Sequence, residues 1–401
     1  MTTRSTELLR VVHHRPGVTR ADAARLLGVG TGAATELVTK LSRAELLVQA
    51  PAAPSGTRGR PTTVLLPHPA GPLVLAVAIT HEGWRIDVVE LGGTTAASRS
   101  GRHATTDWPE VRAAVATAIQ ELLLRYGKRP RALGVSVPGT VSRSYRLDAS
   151  GLNWHDVDLT ELWPGAGVFV AGNDATLAAT AESRRGAAAG AAVGLHLRIE
   201  AGLGGAVVEA GRPVIGARGA AGEFGHVPFG DPAISCPCGA RGCWGTAVDG
   251  TALARLLNDP PPRDPVTYAR RVIARATSAS ATSTSAPGTS ATDASATGDR
   301  ATGGPATDPA LAAVRAVGTA LGRGIAGLVN ALDADLVTLG GLGTELLTAV
   351  PDAINTAYRD GLMLIHRASP PPVLPATLGD DDGPIAGAAE EAWSALLPRL
   401  A

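Results

Sequence analysis

The chain of 401 residues is predicted to be an α/β protein with a winged helix-turn-helix head. Three features carry that expectation. Three short apolar-periodic helices fall within the first fifty residues, two strand-like runs flank a Pro/Gly/Arg loop after them, and strands alternate with helices from Leu73 onward.

Residues 6–14 form the first helical segment, which stops at Pro16-Gly17. Thr19 is placed as the N-cap of a second helix carrying Ala23, Ala24, Leu26 and Leu27. Gly28-Val29-Gly30 makes a turn, and a third helix covers 31–44. Helix, glycine turn, helix is the pattern whose second helix enters the DNA major groove. Leu46-Leu47-Val48 and Thr63-Val64-Leu65-Leu66 read as the strands of a wing. Three small helices also suit a plain interaction module. Charge leans towards DNA: residues 1–70 hold nine Lys/Arg against four Asp/Glu, the rest 27 against 32, in a chain of zero formal net charge. A basic head on an acidic body suits a polyanion, although a solvated surface gives the same tally. On the third helix Thr31, Thr35 and Glu36 are assigned to bases, and Lys40 and Arg43 to phosphates. Arg58 and Arg60 in the wing are assigned to the minor groove.

The body opens with a buried-type strand at 73–79 and an alternating strand at 85–91. A helix at 111–126 follows, then a strand at 132–137 ending in Pro138-Gly139. A strand at 168–171 runs into Gly172-Asn173-Asp174 and a helix at 175–184. Residues 277–307 are almost entirely Ala, Ser, Thr, Gly, Pro and Asp, and read as a disordered surface insertion or a regulatory tail. A helix at 311–330, a strand at 336–339, Gly340-Gly341 and a helix after Pro384 complete the pattern. No secretory signal is visible and no apolar stretch approaches bilayer length, so a cytoplasmic protein without a membrane partner is expected.

The only three cysteines lie in Cys236-Pro237-Cys238-Gly239-Ala240-Arg241-Gly242-Cys243, with His226 ten positions before the first. A tight turn offering three thiolates, closed by one imidazole, is a structural zinc pattern. A disulfide plus a spare thiol is the alternative, though the Cys236–Cys238 spacing suits it poorly.

Glu223-Phe224-Gly225-His226 followed by this turn resembles the ExGH and CxCGxxGC motifs of the ROK family (repressors, open reading frames and kinases). With Gly59-Arg60-Pro61 at the wing, the chain resembles the xylose- and N-acetylglucosamine-repressor branch of that family. The resemblance covers nearly the whole chain outside 277–307. It implies a two-lobed actin-like (ribonuclease H-like) body around a sugar cleft, assembled as a dimer or tetramer. The implied division is a head at 1–68, a first lobe at 69–172 completed by a C-terminal helix at 384–401, and a second lobe at 173–383. It implies sugar contacts from Asn153, Asn173, Asp174, Glu223 and His226, and zinc on His226, Cys236, Cys238 and Cys243. Asp174 matches the base of the family's kinases, while Asn-Asp after a strand is equally an ordinary helix N-cap.

The chain departs from the kinases where they hold ATP. Ala78-Ile79-Thr80-His81-Glu82 replaces DxGGT, and Glu200-Ala201-Gly202-Leu203-Gly204-Gly205-Ala206 replaces GTGxGGG. Both segments lose phosphate donors and gain a carboxylate, so kinase activity is not expected. Gly245 stands where the family carries a sugar-binding Glu. The expected function is a regulator, a repressor by preference, that binds a palindromic operator and responds to a sugar. A sugar kinase with a DNA-binding head, and a regulator with a non-sensing zinc-stabilised body, are the alternatives.

Overall fold

The computed structural model describes residues 3–52, 63–284 and 308–400. The head is built from α1 (Arg4–His14), α2 (Arg20–Leu27), α3 (Thr31–Arg43) and the antiparallel pair β1 (Leu47–Pro51) and β2 (Thr63–Pro67). Thr19 caps α2, accepting the Asp22 N–H at 3.0 Å, and Gly28 ends it in the left-handed conformation at φ 63°. Ala34, Val38 and Leu41 recur at helical spacing on α3 and turn inward with Leu8, Leu9 and Val12 of α1.

The body begins with β3 (Leu73–Ile79), β4 (Gly83–Glu90), β5 (Thr95–Arg102), α4 (Trp108–Tyr126) and β6 (Pro130–Val137). A small sheet of β7 (Thr140–Val141), β8 (Arg146–Ala149) and β9 (Trp154–Asp158) follows, then β10 (Val168–Asn173) and α5 (Asp174–Arg185). The next strands are β11 (Val193–Ile199), β12 (Leu203–Glu209) and β13 (Arg212–Pro213). After α6 (Gly250–Leu256), α7 (Pro265–Thr284) and α8 (Pro309–Leu332) come β14 (Leu336–Gly341), α9 (Leu342–Ala349) and α10 (Pro351–Gly361). The chain ends with α11 (Leu364–Arg367), β15 (Val373–Pro375) and α12 (Asp382–Leu400).

One topology occurs twice. The first sheet has the order β5-β4-β3-β6-β10 and the second β13-β12-β11-β14-β15. In each, the first strand lies at the centre, the next two extend one edge, and the last two are added in parallel on the other. This duplication is the actin-like architecture. Two compact units result: Met1–Gly190 with Val207–Ala221 and Leu378–Ala401, and Ala191–Ala206 with Gly222–Thr377.

Three observations differ from the sequence reading. The first unit continues past residue 172 to Gly190, because α5 packs along α12, and the head belongs to it as well. Apolar residues of α1, α2 and α3 share one buried cluster with β3, α5 and α12. Helix α7 runs to Thr284, into the segment 277–307, of which 285–307 lie outside the described residues. Helix α8 is, among the described residues, the one helix long and apolar enough to cross a membrane, which corrects the expectation that nothing approached that length. Its apolarity is used internally: Val314, Val317, Leu321, Ile325 and Val329 are buried, and α10 and α7 pack on it.

Candidate functional site

The three cysteines and His226 converge in the second unit. His226 ends the short 3-10 helix Phe224–His226, with Nδ1 3.7 Å from Cys236 Sγ; Cys238 and Cys243 bring their sulfurs to 3.6 Å. All four ligand atoms lie within 4.8 Å of one another. A zinc tetrahedron with its usual bond lengths has edges of about 3.8 Å between sulfurs and about 3.5 Å from sulfur to nitrogen. The residues present therefore fit zinc, and Cys238 and Cys243 are not joined as a disulfide at that separation. The turn shapes itself: Cys236 N–H donates to Ala240 O at 2.8 Å, and Gly239 N–H returns to Cys236 O at 3.0 Å. Burial, then the neighbouring thiols, push the Cys243 thiol up to about 12, whereas the Ala240 backbone and the Cys236 thiol draw Cys238 down.

The loop bearing Glu223 and His226 lies directly on β12. A Cβ at Gly222 would meet Gly205 O at 2.1 Å, and one at Gly225 would meet Leu203 O at 2.2 Å. Only glycine permits that approach. Gly205 in turn accommodates the Phe224 ring, so this glycine of β12 seats the loop bearing Glu223 and His226. His226 Nε2 faces Glu223 Oε2 at 3.8 Å, and both side chains are half exposed. With Nδ1 toward the sulfurs, the proton belongs on Nε2, beside Glu223. Trp244 anchors the far end: it is fully buried over Gly324 of α8 and donates Nε1–H to Ala320 O at 3.1 Å. Gly245 is closed against the same loop, since a Cβ there would lie 3.3 Å from Gly225 O. None of these supporting contacts was legible beforehand, apart from the glycine spacing itself.

The remaining expected sugar residues lie in the first unit. Asn173 is the N-cap of α5: Oδ1 accepts from Ala175 N–H at 2.9 Å and Thr176 N–H at 3.2 Å, and Nδ2 donates to Gly139 O at 3.0 Å. Its side chain thus joins α5 to the turn after β6. Asp174 opens α5 and accepts the Ala175 N–H at 2.8 Å. Asn153 is exposed, at φ 56°, a left-handed conformation that Asn tolerates. Its neighbour Trp154 is core, edge-on to Trp108 and donating to Thr106 O at 2.7 Å.

The two altered phosphate segments have their own internal bonding. Thr80 Oγ1 accepts the N–H groups of Glu82 and Gly83 at 3.3 and 3.2 Å, so these donors face a hydroxyl. Glu200 carries an ion pair with Arg198, and its N–H donates to Gly202 O at 2.8 Å. The buried His196 bonds Thr338 Oγ1 through Nδ1 at 2.8 Å, and its ring would sit 3.3 Å from a Cβ at Gly340. Burial, then Arg198, lower His196 to about 3 and keep it neutral.

On the head, Thr31, Thr35, Glu36, Lys40 and Arg43 all lie on the exposed side of α3. Two are committed locally: Thr35 Oγ1 donates to Thr31 O at 2.8 Å, and Lys40 Nζ donates to Ser5 Oγ of α1 at 3.2 Å. Arg58 and Arg60 lie outside the described residues.

A winged-helix head fused to a duplicated actin-like body, with a three-cysteine turn beside a Glu-His loop, defines a narrow class of protein. The ROK family profile matches residues 76–393, and the chain belongs to the ROK family. The fold is similar over 99% of this chain and 97% of the other to a crystal structure of a ROK family transcriptional regulator, a homologue of the E. coli MLC protein, at a TM-score of 0.73 and 20% identity. The ROK hexokinase from Thermus thermophilus is similar over 80% of this chain and 98% of its own, at 0.59 and 26%. In sequence, the kanosamine kinase of Amycolatopsis mediterranei (strain S699) is 35% identical over 167 residues, 40% of this chain and 53% of the kinase. The N-acetylgalactosamine kinase AgaK of Shewanella sp. (strain ANA-3) is 27% identical over 277 residues, 64% of this chain and 79% of its own. The chain spans about half the length, or less, of the curated relatives it matches at 30% identity or above.

Proposed function

We propose that the protein is a cytoplasmic DNA-binding transcriptional regulator, a repressor by preference, whose body senses a sugar and does not phosphorylate it. The observation that carries this reading is the head. It shares a hydrophobic core with the body, and α3 presents Thr31, Glu36 and Arg43 to solvent. Two such heads in a dimer or tetramer suit a palindromic operator. Sugar hydroxyls would be held by Glu223 and by His226 Nε2, while Asn173 serves chiefly to cap α5. Zinc bound by His226, Cys236, Cys238 and Cys243 would supply a fixed charge that ties the Glu223 loop to the cysteine turn. Sugar binding would favour one arrangement of the body over another and so change operator affinity.

The observations against ATP concern donors. Phosphoryl transfer needs backbone N–H groups on the phosphates. In the segments concerned, the Glu82 and Gly83 N–H groups face Thr80, and the Glu200 N–H donates to Gly202 O. The kinase relatives and Asp174 at the head of α5 favour the rival reading. The two part in a coupled assay of ATP with glucose, N-acetylglucosamine and kanosamine. No turnover above background is expected; turnover abolished by Asp174→Asn would overturn the proposal. Duplex selected from a randomised pool should bind with Kd below about 10⁻⁷ M and weaken steeply with salt. Arg43→Ala should weaken it across all sequences. Recovery of no duplex would sink the DNA-binding half.

A further inference from the structure

The first unit contains a buried ionic network that the reading above leaves without a role. His13, in the last turn of α1, is 1% exposed, and Glu390, on α12, is 2% exposed. His13 Nδ1 accepts the Gly92 N–H at 3.0 Å, which leaves the ring proton on Nε2, and Nε2 donates to Glu390 Oε2 at 3.1 Å. Arg185, at the end of α5, completes the set. Its Nε donates to Glu390 Oε1, its Nη1 to Gly92 O at 2.9 Å, and its Nη2 to His13 O at 3.1 Å. Arg184 adds bonds to Glu390 O at 2.8 Å and Glu391 Oε1 at 2.7 Å. Burial alone would raise the Glu390 carboxyl; the His13 bond and the Arg185 charge outweigh it and bring it down to about 2.

Four elements meet here: the head through α1, the β4–β5 turn, α5 and α12. A buried charge set of this kind adds little stability over apolar residues of the same volume, but it fixes one geometry. Its members are tightly placed on one side and loose on the other. A Cβ at Gly93 would lie 2.7 Å from the Arg185 guanidinium carbon, so the guanidinium lies flat on that backbone. Yet Arg185 and Glu390 also line a cavity of about 180 Å³ with Arg85, Asp87 and Asp382, which gives Arg185 room to move. The His13, His14 and Glu390 ligand atoms are close enough for a cation. A cation there would sit beside two guanidiniums, and Glu390 is already paired, so the chemistry disfavours it.

Helix α5 gives the network its reach. It begins at the Asn173 cap and Asp174, and ends about 18 Å away at Arg184 and Arg185. One turn before that end, the buried Glu182 accepts the Ala187 N–H and the Leu378 N–H, each at 2.7 Å. These groups flank two of the four points where the chain passes between the units, after Gly190 and before Leu378. One helix thus carries Asn173 and Asp174 at its start and reaches two of those four crossings and the joint with the head at its end.

We infer that Arg185, Glu390 and His13 form the joint that fixes the head on the body, and that α5 transmits the state of its Asn173-Asp174 end to the head through that joint. This rests on the regulator reading for its purpose but not for its test, which needs neither DNA nor an identified sugar. Hydrogen exchange on the intact chain reads the head directly. In Arg185→Met, amides of α1, α2 and α3 should exchange about tenfold faster while those of α8 stay unchanged. Asn173→Ala, at the far end of α5, should also change head exchange in the otherwise wild-type chain. It should not do so in the triple variant His13→Leu/Arg185→Met/Glu390→Leu, which replaces the network by apolar groups and should fold. Head exchange within about twofold of wild type in Arg185→Met would overturn the joint. No response to Asn173→Ala, or the same response in both backgrounds, would overturn the transmission. A joint that passes while no duplex is recovered from a randomised pool would locate the failure in the DNA-binding reading instead.

Discussion

Cys238→Ser is expected to lower bound zinc from about one ion per chain to near zero and to destabilise the second unit. Cys238 is exposed, so the substitution removes a ligand without opening a cavity; Cys243, which is buried, would confound the two effects. The magnitude follows from linkage. A site a thousandfold below the free metal concentration contributes about 4 kcal/mol to stability, and losing it removes that contribution. Chelation of the wild-type protein should reproduce the shift, and chelation of Cys238→Ser should add nothing. The consequence for sensing is local. The Glu223–His226 loop is pinned at one side by Gly222 and Gly225 on β12, and the cysteine turn at its far end by Trp244 over Gly324. The ligand cluster ties loop to turn beside the Trp244 N–H bond to Val227 O at 2.8 Å and the Gly230 N–H bond to Gly242 O at 2.9 Å, so its loss should loosen the Glu223 carboxylate and raise exchange across 222–245. Metal analysis of the reduced protein finding no zinc, together with an unchanged melting temperature after chelation, would refute the assignment.

What was legible in the sequence divides along physical lines. The strand 73–79 coincides with β3, because seven consecutive apolar residues buried on both faces leave no ambiguity of period. Thr19 capped α2 as expected, since a cap is a local bond between residues three apart. The cysteine cluster was legible for the same reason: its four ligands span eighteen residues, and spacing alone constrains the geometry. Edge strand β5 was not, because Thr95–Arg102 is largely exposed and lacks apolar alternation. The placement of α5 failed for a tertiary reason. Its partner α12 lies more than two hundred residues away, and nothing near residue 173 signals on which side of a unit boundary the helix belongs. The contact at His13 was invisible in the same way: Glu390 is 377 positions distant, and the His13-His14 pair at a helix end carries no local sign of that partner.

Gly387→Val is expected to unfold the first unit while leaving the proposed metal site of the second intact. A Cβ at Gly387 would lie 1.9 Å from Leu177 O, and that oxygen belongs to the backbone of α5, which has no flexible end to yield. A second close approach lies at the next residue of α12: a Cβ at Gly134 of β6 would meet Ala388 O at 2.1 Å. Helix α12 is therefore held against α5 and β6 by close backbone approaches at two adjacent positions, Gly387 and Ala388, so a shift that relieves one disturbs the other. Overpacking of an adaptable core costs about 1–3 kcal/mol, and a backbone wedge between two fixed elements should exceed about 4 kcal/mol. Because α12 also carries Glu390 and Trp393, and the buried cluster around it includes Leu8, Leu9 and Val12 of α1, the head should melt with the body strands. Circular dichroism should then show an early transition absent from the wild type. Zinc stoichiometry should stay near one per chain, since every ligand lies in the other unit. A variant with wild-type melting would mean that α12 can slide along α5, and the close crossing would not be what sets the position of the head.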